Sequence, residues 1–145
     1  MKPQITKIDP TTRQKRFFDL ARQVGDNSTF HNLHGRKIAI GAVVVIGNYV
    51  VSEGYNKRKT HPIQARFNRK TQYFAPSPNI HAEIDALIRS RQHDLDGAEV
   101  FVYRDRVQDS LGNCRPCRSC MSALKNAGVK HIYYTSNDGF HYERI

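Results

Sequence analysis

Two short stretches hold the residues with the most chemistry in them, His81-Ala82-Glu83 and Pro116-Cys117-Arg118-Ser119-Cys120. One imidazole and two thiols are three good ligands for a tetrahedral zinc, and a site with three protein ligands keeps its fourth position for water. Zinc held this way lowers the pKa of that water toward neutrality. A nearby carboxylate outside the ligand set can then shuttle protons between the water and a substrate nitrogen. Glu83 is the candidate carboxylate.

These residues need elements that bring them together. Ile80, Ile84, Leu87 and Ile88 recur at helical intervals, which predicts a helix with His81 and Glu83 in its first turn and its apolar face inward. Cys117, Cys120, Met121 and Leu124 repeat the pattern, so both thiols fall on the buried face of a second helix, and Pro116 suits its first position. Two helix N-termini then point at one metal, where their N–H groups and dipoles favour thiolates. Residues two apart lie nearly opposite each other on a regular helix, so His81 and Glu83 share a target only if that helix starts irregularly.

Each of these residues also has an ordinary reading. A histidine at a helix start can be a cap, free cysteines can be small core hydrophobes, and Glu83 can be an N-terminal charge favoured by the dipole. Cys114 extends the pattern to Cys114-x-x-Cys117-x-x-Cys120, so a closed, structural site of His81 and three thiols is an alternative. Pro116 argues against it, because a helix beginning there leaves Cys114 in the preceding loop on a different heading.

Around these stretches, Met1 to Pro10 reads as a loose lead-in. Thr11 or Thr12 caps a first helix running to about Val24, and Gly25 to Gly35 is polar and turn-rich. Lys37 to Ile46 reads as a buried β-branched strand, and Gly47-Asn48 as a hairpin turn into Tyr49 to Tyr55. Val100 to Tyr103 and His131 to Thr135 are strands following the two site helices, with Gly128 as a C-terminal cap, and Phe140 to Ile145 adds a short last strand. A strand hairpin followed by alternating helices and strands is the pattern of an α/β sandwich. Residues 1–145 show no repeat, no low-complexity tract and no second domain.

A chain of 145 residues is long enough for one real core. The apolar run Ile38 to Ile46 is too short to span a membrane and the N-terminus lacks a signal-peptide core, so a cytoplasmic protein is expected. Three clustered cysteines suit a metal better than a disulfide framework. The net charge of +10 favours anionic partners, nucleotides and nucleic acids alike. Lys57 to Asn79 is the least regular and most basic stretch. It interleaves Lys57, Arg58, Lys59, Arg66, Arg69 and Lys70 with Phe67, Tyr73 and Phe74, a mixture able to hold a nucleotide or a strand, or to serve only as a solvated insertion.

His81-Ala82-Glu83 followed by Pro116-Cys117-x-x-Cys120 resembles the H-x-E and P-C-x-x-C signature of the zinc-dependent cytidine and deoxycytidylate deaminases. Gly41-Ala42-Val43-Val44-Val45 and Gly54-Tyr55-Asn56 add to the resemblance, which spans roughly Lys37 to Ser136 and is nearest to the deoxycytidylate deaminases. It implies a three-layer α/β/α sandwich with a mixed central sheet of about five strands, Zn2+ as cofactor, and a homo-oligomer. It also implies Glu83 as the proton shuttle, with His81, Cys117 and Cys120 on the metal. Asn56 would contact the substrate's sugar or phosphate, and Ala82 would offer its backbone to the base edge. The segment before the H-x-E helix would line the substrate pocket. Lys59 and His61 lie in that segment as candidates to meet a phosphate, His61 equally as a residue that only stiffens a turn.

Hydrolytic deamination of a free cytosine nucleotide, dCMP to dUMP, is the expected reaction. Deamination of cytosine or adenine in single-stranded nucleic acid is the second reading, and a non-catalytic zinc-stabilised binding module the third. A compact basic nucleotide enzyme of this kind would not be out of place in a virus or phage.

Overall fold

The computed structural model describes residues 4–32, 34–74, 79–105 and 112–145. Strand β2 (Ala39–Ile46) turns back through the hairpin into β3 (Tyr49–Tyr55), and β4 (Glu99–Asp105) pairs antiparallel with the other edge of β2. Strands β5 (His131–Ser136) and β6 (Gly139–Arg144) follow, with β5 parallel to β4 and β6 antiparallel to β5. With β1 (Ile5–Ile8) at one edge, the sheet order is β1-β6-β5-β4-β2-β3.

Alternation along the strands decides the layers. Val43 and Val45 of β2 and Phe101 of β4 face helix α1 (Thr12–Gly25), which covers them with Phe17, Phe18, Ala21 and Val24. Ala42, Val44, Val100, Val102 and Ile132 point the other way, to α3 (Ala82–Arg89) and α4 (Arg118–Ala127), meeting Ala82, Ala86 and Leu124. Because β3 and β4 are both antiparallel to β2, they run in the same direction. The chain segments that follow them, which lead into α3 and α4, therefore start at the same end of the sheet. That topology is what lets two distant motifs meet.

Three expectations are corrected. The sheet has six strands rather than about five, because Ile5–Ile8, read as a loose lead-in, is strand β1 paired antiparallel with β6. Three of its four residues are exposed, so main-chain pairing holds it at the edge and no buried alternation announces it. The stretch before His81 contains helix α2 (Pro62–Lys70), whose only large apolar residues are Ile63 and Phe67. Phe67 packs with Ile80, Ile84, Cys120 and Ala123, so α2 docks on the site helices with a stripe too narrow to stand out among basic residues. Pro116 lies outside α4, which begins at Arg118 with Cys117 as its N-cap. Thr11 caps α1 in a reciprocal capping box with Gln14, and Gly128 closes α4 at φ +99°. No described helix is long and apolar enough to cross a membrane.

Candidate metal centre and cavity

His81 has extended backbone, φ −74° and ψ 153°, as the residue just before α3. The helix start is therefore irregular where it must be, since His81 stands outside the helical phase that carries Glu83. The His81 ring nitrogen Nδ1 lies 3.5 Å from Cys117 Sγ and 3.3 Å from Cys120 Sγ. Donor atoms of His81, Cys117 and Cys120 all fall within 4.8 Å of one another. Tetrahedral zinc sets a sulfur and a nitrogen ligand roughly 3.5 Å apart, so the donors fit this metal in identity and in spacing.

The local fold prepares the thiols. Cys117 caps α4, its Sγ accepting from the Cys120 backbone N–H at 3.5 Å. The hydrogen bond to Cys120 and the neighbouring His81 outweigh burial and pull the Cys117 thiol down to about 4, whereas burial and the Cys117 charge push Cys120 upward. Burial disfavours charge on His81, but its bond to Cys117 and the nearby Glu83 carboxylate prevail and raise it. Burial also raises Glu83, which is only 5 % exposed. A carboxyl raised in this way is suited to hold and release a proton. Tyr73 stands edge-on to the His81 ring, centroids 5.8 Å apart.

Cys114 belongs to a different environment. Its Sγ lies 3.1 Å from Thr135 Oγ1 and donates to the Val102 carbonyl at 3.3 Å, and burial pushes the thiol up to about 12. It stands outside the cluster of His81, Cys117 and Cys120, which has three donors among the described residues.

A cavity of about 260 Å³ opens beside His81 and Cys117. Its lining includes His81, Ala82, Glu83 and Cys117, the apolar Phe30, Ile38 and Ile40, and the amide residues Asn56 and Asn79. Arg104, Asn113 and Arg115 also line it, two of them cationic. Asn56 is 3 % exposed. Its Oδ1 accepts from Ile40 N at 3.1 Å and its Nδ2 donates to Ile38 O at 2.7 Å, so it shapes the start of β2 as well as lining the cavity. His61 caps α2, its Nδ1 accepting from Ile63 N at 3.1 Å, and Lys59 is exposed. Neither lines the cavity, because the backbone after Asn56 leaves the pocket to build α2, which packs on α4. Arg104, Asn113 and Arg115 were not singled out from the sequence. The available signal was Arg104's place at the carboxyl end of a buried strand, the end at which ligands collect in α/β sheets.

Two thiols, an imidazole and a buried carboxyl beside a ligand-sized cavity are the apparatus of a metal-dependent hydrolase that works on a carbon–nitrogen bond. Over residues 11–136 the sequence matches the cytidine and deoxycytidylate deaminase zinc-binding region, and the chain belongs to that family of zinc-dependent deaminases. No curated protein sequence matches the chain significantly. Among solved structures, the dCMP deaminase of cyanophage S-TIM5 in apo form aligns at 21 % identity and a TM-score of 0.56, covering 89 % of this chain and 86 % of its own. The same cyanophage enzyme in complex with dCMP and dUMP gives 23 % identity and 0.51, over 83 % and 76 %. A cytidine deaminase from Burkholderia pseudomallei gives 14 % identity and 0.60, over 90 % and 91 %. These likenesses establish a shared fold.

Proposed function

We propose that the chain deaminates a free cytosine nucleotide, converting dCMP to dUMP. The observation that carries this reading is the composition of the cavity, whose lining brings together His81, Glu83 and the cationic Arg104. A base directed to His81 and Glu83 can offer its phosphate to the Arg104 guanidinium, a group that binds phosphate through charge-assisted hydrogen bonds, whereas the Arg115 guanidinium is held by Glu143.

His81, Cys117 and Cys120 are the proposed zinc ligands. Zinc, when bound, supplies the Lewis acidity that makes water a usable nucleophile near neutral pH. Glu83 takes a proton from the attacking water and gives it to the ring nitrogen N3 as the C4–O bond forms. It then passes the proton of the new C4 hydroxyl to the amine, so that the C4–N bond breaks, ammonia leaves and the C4 carbonyl of uracil results. Asn56 and Ala82 are placed to bound the sugar and the base edge. Lys59 and His61 are assigned at most an outer role in attracting the anion. The free thiols of the site suit a reducing compartment such as the cytoplasm, and a homo-oligomer remains the expected assembly.

The test is conversion of dCMP, deoxycytidine and a cytosine-containing single-stranded oligonucleotide by the zinc-loaded protein, with Glu83→Gln as the control. Turnover of dCMP above the other two, lost in the variant while zinc stoichiometry is kept, is the expected result. Preference for the oligonucleotide would move the substrate to nucleic acid. Loss of zinc from the variant would overturn the role given to Glu83.

A further inference from the structure

The His81 segment and the cysteine helix are joined by a second connection besides the metal. The His81 backbone N–H donates to Gln64 Oε1 at 3.0 Å, Gln64 Nε2 donates to Asn68 Oδ1 at 2.9 Å, and the Ser119 hydroxyl donates to the same Asn68 oxygen at 2.7 Å. Ser119 lies between the two thiol ligands on α4, and Gln64 and Asn68 are one turn apart on α2. Gln64 is 3 % exposed and Ser119 fully buried.

We infer that Gln64, Asn68 and Ser119 are positioning residues that fix the imidazole and thiol ligands relative to each other, and that this is the task of α2. The chain has only one consistent direction. A backbone N–H can only donate, so Gln64 must turn its carbonyl oxygen to His81 and its NH2 to Asn68. Asn68 must then present oxygen, and the Ser119 hydroxyl is left as the donor. The His81 N–H stands ahead of the α3 hydrogen-bond ladder, and Gln64 Oε1 is its acceptor. Partners that orient metal ligands typically change metal affinity or activity by about 10–100-fold when removed.

The inference rests on the reading of His81, Cys117 and Cys120 as zinc ligands. Its test is the rate at which a chromogenic chelator removes zinc from the full-length protein, with the absorption spectrum of the Co(II)-substituted protein as a second readout. Asn68→Leu and Ser119→Ala are expected to speed zinc loss about ten-fold and to alter the Co(II) bands. Asn68→Asp keeps an acceptor for both Gln64 and Ser119, and is expected to restore slow zinc loss. Ser119→Ala suits a helix and guards against misfolding of the leucine variant. Unchanged zinc loss and spectra in both variants, even with lowered thermal stability of the metal-free protein, would reduce the network to ordinary packing and overturn the inference. Wild-type protein that takes up no zinc would overturn the metal reading itself, and this inference with it.

Discussion

Arg115 grips the carboxylate of Glu143 with two hydrogen bonds, Nε to Oε2 at 2.8 Å and Nη2 to Oε1 at 2.9 Å, two residues before the first thiol of the site. The Tyr134 hydroxyl adds a third bond to Oε2 at 2.7 Å. The last strand, β6, thereby anchors the loop that delivers Cys117. Burial raises the Glu143 carboxyl, but the bonds from Arg115 and Tyr134 outweigh it and leave the group below its ordinary value.

A depressed folded-state pKa gives stability that is complete above the unfolded value of about 4.3 and lost as pH falls through the folded value. Glu143→Gln is expected to cost about 2 kcal/mol at pH 7. That is less than a fully enclosed pair would lose, because the Arg115 side chain is 38 % exposed while that of Glu143 is 1 % exposed. Urea unfolding of both proteins from pH 7 to pH 3 reads the difference. A gap that stays constant over this range would contradict the ion-pair account.

Cys114 and Cys117 are expected to behave in opposite ways. Cys114→Ser keeps a donor toward Val102 and Thr135 and should leave one zinc per chain, whereas Cys117→Ser removes a ligand and should release it. Metal content after gel filtration distinguishes them. Equal loss from both variants would mean that the site is closed by four protein ligands.

Arg104 faces the cavity from the end of β4. Arg104→Met should raise KM for dCMP about ten-fold or more, the scale of one hydrogen bond to a charged group, with little change in kcat and little effect on deoxycytidine. Equal effects on both substrates would separate Arg104 from the phosphate.

Gly54 of β3 allows α3 to lie directly on the sheet. A Cβ there would collide with backbone atoms of Ala82 and Ala86, the Ala82 carbonyl oxygen standing only 2.6 Å away. Backbone cannot yield as a side-chain tip can, so Gly54→Ala is expected to cost about 3 kcal/mol and to weaken zinc retention by shifting His81. Thermal unfolding and chelator competition measure the two effects. An unperturbed variant would show that α3 can slide without disturbing the site.

The candidate metal group of His81, Cys117 and Cys120 was legible in the sequence because zinc restricts residue type, and because helix starts with an imidazole or paired thiols are strong local patterns. His81, Glu83, Cys117 and Cys120 could be picked out, along with β2 to β6 and three of the four helices among the described residues, since a periodic face reports its own burial. Strand β1 and helix α2 were not legible. One is held by main-chain pairing at an edge, and the other buries little beyond Phe67 and Ile63. The meeting of the two motifs was decided by topology, because β3 and β4 point the same way only through their shared partner β2. The tertiary structure also brought Arg104 to the cavity, turned Cys114 toward Thr135, and tied His81 to Ser119 through two amides of α2. Those relationships depend on residues far apart in the chain, and no local spacing encodes which distant partner a side chain will meet.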